Sequence, residues 1–285
     1  MIQTIEIEPF LQEGGVEFRK NRPTAILYPE GENSEWYGFK RHNFELAGHR
    51  GFIVEPPNPA PGLPWCWCLQ WAEAFVSRTP ALKLLERGFH HVHLDVFDTR
   101  MNPDGVALSE AFYSLLCRLN FHPKVALIGM SYGGLFSLRW AAEHPETVGA
   151  IYLDAPVCDL AFCKQKRGMA ENMAAYGVGS AAELRAHPLS PLNNVRPIAE
   201  AKLPILCIRS GQDQTVSPRT NIDIFSRRLQ AAGGDITIIR RDYYGHHPHG
   251  LDDPRPLADF ILQYYPAIQF LNVDGATSKL FANSS

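Results

Sequence analysis

Residues 124–136 read Lys124-Val125-Ala126-Leu127-Ile128-Gly129-Met130-Ser131-Tyr132-Gly133-Gly134-Leu135-Phe136, and this stretch decides the fold. An apolar run ends in Gly-x-Ser-x-Gly-Gly and passes directly into helical sequence that continues to Pro145. A serine pinched between a strand and a helix takes strained backbone angles. Those are tolerable only when the residues two positions away carry no colliding side chain. Gly129 and Gly133 hold those two positions. The turn lifts the Ser131 hydroxyl above the end of a sheet, at the positive end of the following helix. Gly-x-Ser-x-Gly alone recurs by chance; with a strand before it and a helix after it, it is specific.

Outward from this turn, short apolar runs alternate with amphipathic ones. The runs are Trp65 to Leu69, Val92 to Val96, Val125 to Met130, Ala150 to Leu153, Ile205 to Ile208 and Ile236 to Ile239. Several are continuously apolar and rich in Val and Ile, as strands covered on both faces of a parallel sheet should be. Leu108, Phe112, Leu115 and Leu119 recur at helical spacing, as do Ile222, Phe225 and Leu229 before Gly233. Asp253-Pro254 opens a last helix with Leu257, Phe260, Ile261 and Tyr264 on one face. Strands alternating with helices predict an α/β fold with a doubly wound sheet. Pro56 to Pro61, proline-rich and poor in backbone donors, predicts an exposed connection between strands.

Residues 1–45 are polar and irregular, with short apolar patches at Ala25 to Tyr28 and Trp36 to Phe39, and read as an N-terminal extension. Residues 46–271 form the main domain, and 272–285 a small, polar tail. Between Pro156 and Pro204 no strand pattern is visible, while Gly168 to Ala186 is Met- and Ala-rich and helical. Residues from about 157 to 203 are therefore expected to form a lid over the C-terminal edge of the sheet, the alternative being a long crossover.

Composition excludes other classes. With 27 Lys+Arg against 30 Asp+Glu, the net charge of −3 gives no basic footprint for nucleic acid. A hydrophobic share of 45% over 285 residues supports an ample core, and no apolar run approaches the ~20 residues of a membrane span. The start, MIQTIEIEPF, lacks a basic segment followed by an apolar one, so a cytoplasmic address is expected. The six cysteines (Cys66, Cys68, Cys117, Cys158, Cys163, Cys207) are scattered, which argues against a disulfide scaffold and for reduced thiols; only Cys158 and Cys163 could meet in a loop. A nucleotide-binding sheet would need a Gly-rich turn after its first strand, and none is there.

A serine hydroxyl is a poor nucleophile at neutral pH and needs a base within hydrogen-bond reach, itself oriented by an acid. Asp213 follows the run Ile205 to Arg209, in a loop at a strand tip; Asp154, at the tip of the preceding strand, is the rival acid. Tyr244-Gly245-His246-His247-Pro248-His249-Gly250, before the last helix, offers three candidate bases, His246, His247 and His249. His247 and His249 are spaced as metal ligands could be, but no acidic or cysteine partner lies nearby in sequence, so no metal is expected. His90, His91 and His93 lie in a strand-like run and read as satisfied sheet histidines.

The Ser131 turn, the Asp213 loop and the Gly245-His246 loop, in that order, resemble those of serine α/β-hydrolases, and the likeness runs from about Phe44 to Tyr265. It implies a mostly parallel, eight-stranded sheet with helices on both faces. It also implies acyl transfer to water through an acyl-enzyme, without a cofactor. In such hydrolases the residue directly after the glycine usually carries the base, so the resemblance implies that His246 leads and His247 is the alternate. The Gly-His-His-Pro-His-Gly stretch and Asp154-Ala155-Pro156-Val157-Cys158-Asp159 are further similar to bacterial hydrolases associated with plant-polysaccharide breakdown. The resemblance implies an oxyanion hole with the Tyr132 N–H as one donor. The second donor is expected after the strand Trp65 to Cys68, where Leu69, Gln70 and Trp71 are candidates and Gln70 leads; the His-Gly pair usual there is absent.

The expected activity is hydrolysis of a carboxylic ester, on a small molecule or a carbohydrate. The alternatives are a serine peptidase or amidase of the same fold and a catalytically silent binding module. Trp65, Trp67, Trp71 and Phe75 form an aromatic-rich patch suited to sugar or phenolic rings or to core packing, and Tyr132, Tyr243 and Tyr244 flank the catalytic loops. Arg100 and Lys164-Gln165-Lys166-Arg167 are the cationic candidates for a substrate carboxylate.

Overall fold

The computed structural model describes residues 26–162 and 166–265. Nine strands form one sheet: β1 (Asn33–Trp36), β2 (Phe39–Leu46), β3 (His49–Val54), β4 (Trp65–Gln70), β5 (His90–Leu94), β6 (Val125–Met130), β7 (Val148–Asp154), β8 (Ile205–Ser210) and β9 (Thr237–Arg241). The spatial order is β1-β2-β3-β5-β4-β6-β7-β8-β9. The first three strands are antiparallel, β3 joins β5 antiparallel, and every pairing from β5 to β9 is parallel.

The count corrects the expected eight strands to nine, and the reason lies in the segment read as irregular. Trp36 to Phe39 is a two-residue hairpin: Trp36 pairs with Phe39 while Tyr37 and Gly38 both take positive φ. Ala47 and Gly48 repeat the device between β2 and β3. β2 is a peripheral strand with only alternate residues (His42, Phe44, Leu46) buried, so its FKRHNFEL sequence looks polar.

The inner strands alternate between two cores. Trp67 and Leu69 of β4, Val125 and Leu127 of β6, and Ile151 and Leu153 of β7 enter one core, which α2 (Pro103–Arg118), α3 (Tyr132–Glu143), α6 (Arg196–Glu200) and α7 (Ile222–Ala231) cover. Cys66 and Cys68, Ala126 and Ile128, and Ala150 and Tyr152 enter the other, covered by α1 (Ala81–Glu86) and α8 (Arg255–Leu262). Helices on both faces are what continuous apolar strands demand. On α8 the buried residues are Leu257, Ala258 and Ile261; Tyr264 is exposed, contrary to the expected face.

Between β7 and β8 lie α4 (Lys166–Ala175), α5 (Ala181–Ala186) and α6, with no strand among the described residues. The α4 segment docks on the loop after β5: Arg100 pairs with Glu171 at 2.5 Å, Asn102 Nδ2 donates to the Ala175 carbonyl, and the Tyr176 hydroxyl donates to the Arg100 and Met101 carbonyls. Cys66, Cys68, Cys117, Cys158 and Cys207 are free thiols, Cys163 lying outside the described residues. No helix of the described residues is long and apolar enough to cross a membrane.

Candidate active site

Ser131 sits between β6 and α3 with φ 51° and ψ −119°, a backbone conformation few non-glycine residues adopt. A Cβ on Gly129 would lie 2.8 Å from Ser137 Oγ and 2.9 Å from the Gly133 carbonyl oxygen. One on Gly133 would lie 3.1 Å from the Gln70 carbonyl oxygen. Gly134 is tighter still: its Cβ would meet Pro156 Cβ at 2.3 Å. The third glycine of the motif thus lets α3 close against the chain leaving β7.

The three parts of the expected triad meet. The Ser131 hydroxyl lies 3.1 Å from His246 Nε2, and His246 Nδ1 lies 2.7 Å from Asp213 Oδ2. A carboxylate only accepts, so Nδ1 carries the proton and Nε2 is left to accept from the serine. The other Asp213 oxygen accepts the Thr215 and Val216 N–H groups, both at 2.8 Å, which fixes the carboxylate plane. Asp213 is buried and His246 nearly so.

Asp154 and the other two histidines stand apart from that chain of bonds. The buried Asp154 carboxylate accepts His249 Nδ1–H at 3.0 Å, the Gly250 N–H at 2.6 Å and the Tyr152 hydroxyl at 3.0 Å. Its low-dielectric surroundings and the adjacent charge hold the Tyr152 phenol well above its usual range, desolvation being the larger cause. His247 is exposed, its ring 4.8 Å from that of His246 and 5.2 Å from Phe75. The histidine loop is braced from two further sides. Arg78 Nε donates to the His249 carbonyl at 2.8 Å, and Arg241 donates to the Gly250 and Pro248 carbonyls at 2.7 and 3.0 Å. His249 is one of the three loop histidines the sequence singled out, its partner Asp154 unseen there; Arg78 and Arg241 were missed, Arg78 being 171 residues from its partner with nothing local to mark it.

Tyr132 opens α3, so its N–H is among the first-turn donors that have no acceptor within the helix. Gln70, buried at the tip of β4, pairs in register with Gly129. The aromatic patch divides. Trp65 and Trp67 are fully buried in the core, whereas Trp71 is exposed against Phe97 and Phe75 packs on His247 and His249. Tyr243 is exposed, and Tyr244 lies under the Arg241 guanidinium. The Tyr132 ring meets Phe97 edge-on at 5.6 Å, and its hydroxyl donates to the Phe162 carbonyl while accepting from Asn172.

Beyond Phe97 opens a cleft of about 520 Å³ lined by Gly48, His49, Arg50, Asp95, Asp98 and Arg100. Arg100 lies over the Phe97 ring. The other cationic candidates, Lys164 to Arg167, have no described side chains.

Family models agree with this architecture. The α/β hydrolase fold family matches residues 33–177, and the prolyl oligopeptidase family matches residues 107–265. No curated protein matches the chain by sequence. Among solved structures, Pyrococcus horikoshii acylaminoacyl peptidase is similar with a TM-score of 0.55 at 14% identity, over 82% of this chain and 40% of that one. The S-formylglutathione hydrolase of Agrobacterium tumefaciens is similar with a TM-score of 0.55 at 14% identity, over 82% of this chain and 96% of that one. An esterase/lipase from an uncultured bacterium is similar with a TM-score of 0.58 at 13% identity, over 81% of this chain and 87% of that one. This chain thus spans well under half of the acylaminoacyl peptidase and most of the other two. Identities this low speak for the fold; the family models, each matching more than half of the chain, carry the assignment. With Ser131, His246 and Asp213 in bonding sequence on that fold, the chain belongs to the serine α/β-hydrolases.

Proposed function

We propose that the protein hydrolyses a carboxylic ester through an acyl-enzyme formed on Ser131. The observation that carries the acyl-enzyme is the unbroken series Ser131 Oγ, His246 Nε2, His246 Nδ1, Asp213 Oδ2, at 3.1 and 2.7 Å. The absence of a clear acidic pair for a peptide's terminal amine in the sequence tilts the reading to esters. His246 takes the serine proton as Oγ attacks the acyl carbon, then returns it to the departing alcohol. Water repeats the cycle to release the acid. Asp213 holds the tautomer and stabilises the imidazolium. The N–H of Tyr132 and the backbone at Gln70 receive the oxyanion, each donor being worth about 10²–10³ in rate. Of the lid expected at about 157–203, α4 bears on Tyr132 through Asn172, while α6 packs into the core on one face of the sheet.

The exposed Trp71 against Phe97, with Phe97 on the Tyr132 ring and Phe75 on His247, supports a ring-bearing substrate such as an acylated sugar. The match to the prolyl oligopeptidase family favours one second reading, a serine peptidase using the same triad. Paired p-nitrophenyl esters and aminoacyl p-nitroanilides separate the two. The ester reading expects turnover of acetate and of acetylated sugars, falling towards octanoate, and lost in Ser131→Ala. Faster turnover of the anilides would replace it with the peptidase reading.

A further inference from the structure

The fold supplies what the sequence lacked around the histidine loop. One ring nitrogen each from His246, His247 and His249 lies within 4.8 Å of the other two, and the rings stand 4.8 to 5.1 Å apart. Two of these rings are backed by a buried carboxylate: Asp213 on His246 Nδ1 at 2.7 Å, and Asp154 on His249 Nδ1 at 3.0 Å. A carboxylate on Nδ1 leaves Nε2 with the lone pair and raises its basicity, which is how metal-binding imidazoles are oriented.

We propose that His246, His247 and His249 form a site for a borderline divalent transition ion such as Zn²⁺, and that the ion switches the hydrolase off. The switching rests on the reading of His246 as the catalytic base. An ion held by His246 Nε2 takes the lone pair that would otherwise accept the Ser131 proton. The serine stays protonated and the nucleophile is lost, with no bond made or broken in the protein. Three imidazoles suit Zn²⁺, Ni²⁺ or Cu²⁺ and not Mg²⁺ or Ca²⁺, which require oxygen ligands. Tetrahedral coordination at 2.0–2.1 Å wants nitrogens about 3.3 Å apart, so the site must contract. His247 is the exposed ligand of the three.

Calorimetric titration of ZnCl₂ into the full-length Ser131→Ala protein reads binding without any turnover. One ion per chain is expected, with affinity reduced about 100-fold in His247→Ala and about 10–100-fold in Asp154→Asn, and no heat from MgCl₂. In the wild type, Zn²⁺ should suppress p-nitrophenyl acetate hydrolysis, EDTA should restore it, and His247→Ala should resist, each relative to that protein's own zinc-free rate. Absence of zinc uptake by Ser131→Ala, or uptake that His247→Ala leaves unchanged, overturns the site whatever the enzyme's substrate. Uptake that depends on His247 but leaves hydrolysis untouched overturns the switch. Should the wild type hydrolyse no ester, the titration still decides the site, and only the esterase reading fails.

Discussion

Asp154 binds both halves of the catalytic geometry: its backbone carbonyl accepts the Ser131 N–H at 3.0 Å, while its carboxylate accepts the Gly250 N–H at 2.6 Å and His249 Nδ1–H at 3.0 Å. One strand tip therefore ties the nucleophile turn to the loop carrying His246. Replacing Asp154 with Ala would strand three buried donors, at a cost of about 3–5 kcal/mol, since uncompensated buried polar groups lose their desolvation energy outright. Asp154→Asn should lower both kcat and Tm. Asp213→Asn should lower kcat by about 10⁴ with a smaller loss of Tm, because its main loss is the His246 tautomer. Thermal melts beside ester kinetics distinguish the two acids; equal Tm losses would contradict the division of labour.

Ser131 pays for its exposure with backbone strain, at φ 51° and ψ −119°. Glycine reaches this conformation without a Cβ penalty, so Ser131→Gly should remove activity and raise stability by about 1 kcal/mol. Ser131→Ala, which keeps the Cβ, should lose activity with little change in Tm. Denaturant midpoints of the three proteins check this, and a Ser131→Gly midpoint below wild type would count against strain at the turn.

What the sequence made legible follows from how local each signal is. The Ser131 turn is written in contiguous residues, and the buried strands β6 to β8 in continuous apolar runs. The β1–β2 hairpin was not legible, because half-buried peripheral strands with a polar outer face carry little hydrophobic signal. Trp65 and Trp67 lie on one face of β4 and read equally well as substrate platform or core until helices cover that face. His246 was distinguishable from His247 only through the family likeness; in three dimensions Asp213 selects it. The Asp154–His249 pair, 95 residues apart, had no local signature at all.

Gly134 has a different obligation from Gly129 and Gly133. An added Cβ would reach Pro156 Cβ at 2.3 Å and Pro156 Cα at 2.7 Å, both parts of a rigid ring on the chain leaving β7. Gly134→Ala should cost about 1–3 kcal/mol by overpacking, and should lower kcat by tilting α3 and the Tyr132 N–H with it. A melt together with KM and kcat tests this; unchanged kcat with reduced Tm would mean the tilt does not reach the oxyanion donor.

His90 and His91, both buried in β5, are held neutral, their values pushed down to about 3 chiefly by desolvation. Partners exist for one nitrogen of each: the Tyr28 hydroxyl at 3.1 Å from His90 Nε2, and Cys66 Sγ at 3.3 Å from His91 Nδ1. Among the described residues His91 Nε2 is buried without a hydrogen-bond partner, and at His90 the Pro64 carbonyl favours the proton but is outweighed by desolvation. Unfolding frees both rings to titrate near 6.5, so below that pH the unfolded chain binds more protons than the folded one. Their contribution to stability is complete above pH 6.5 and declines as pH falls towards 3. Tm should therefore drop steadily from pH 6.5 to 4, and His91→Gln should flatten that slope while lowering Tm at pH 7.5 through lost packing against Trp36. An equally steep slope in His91→Gln and in a His90→Gln counterpart would assign the acid sensitivity to other groups.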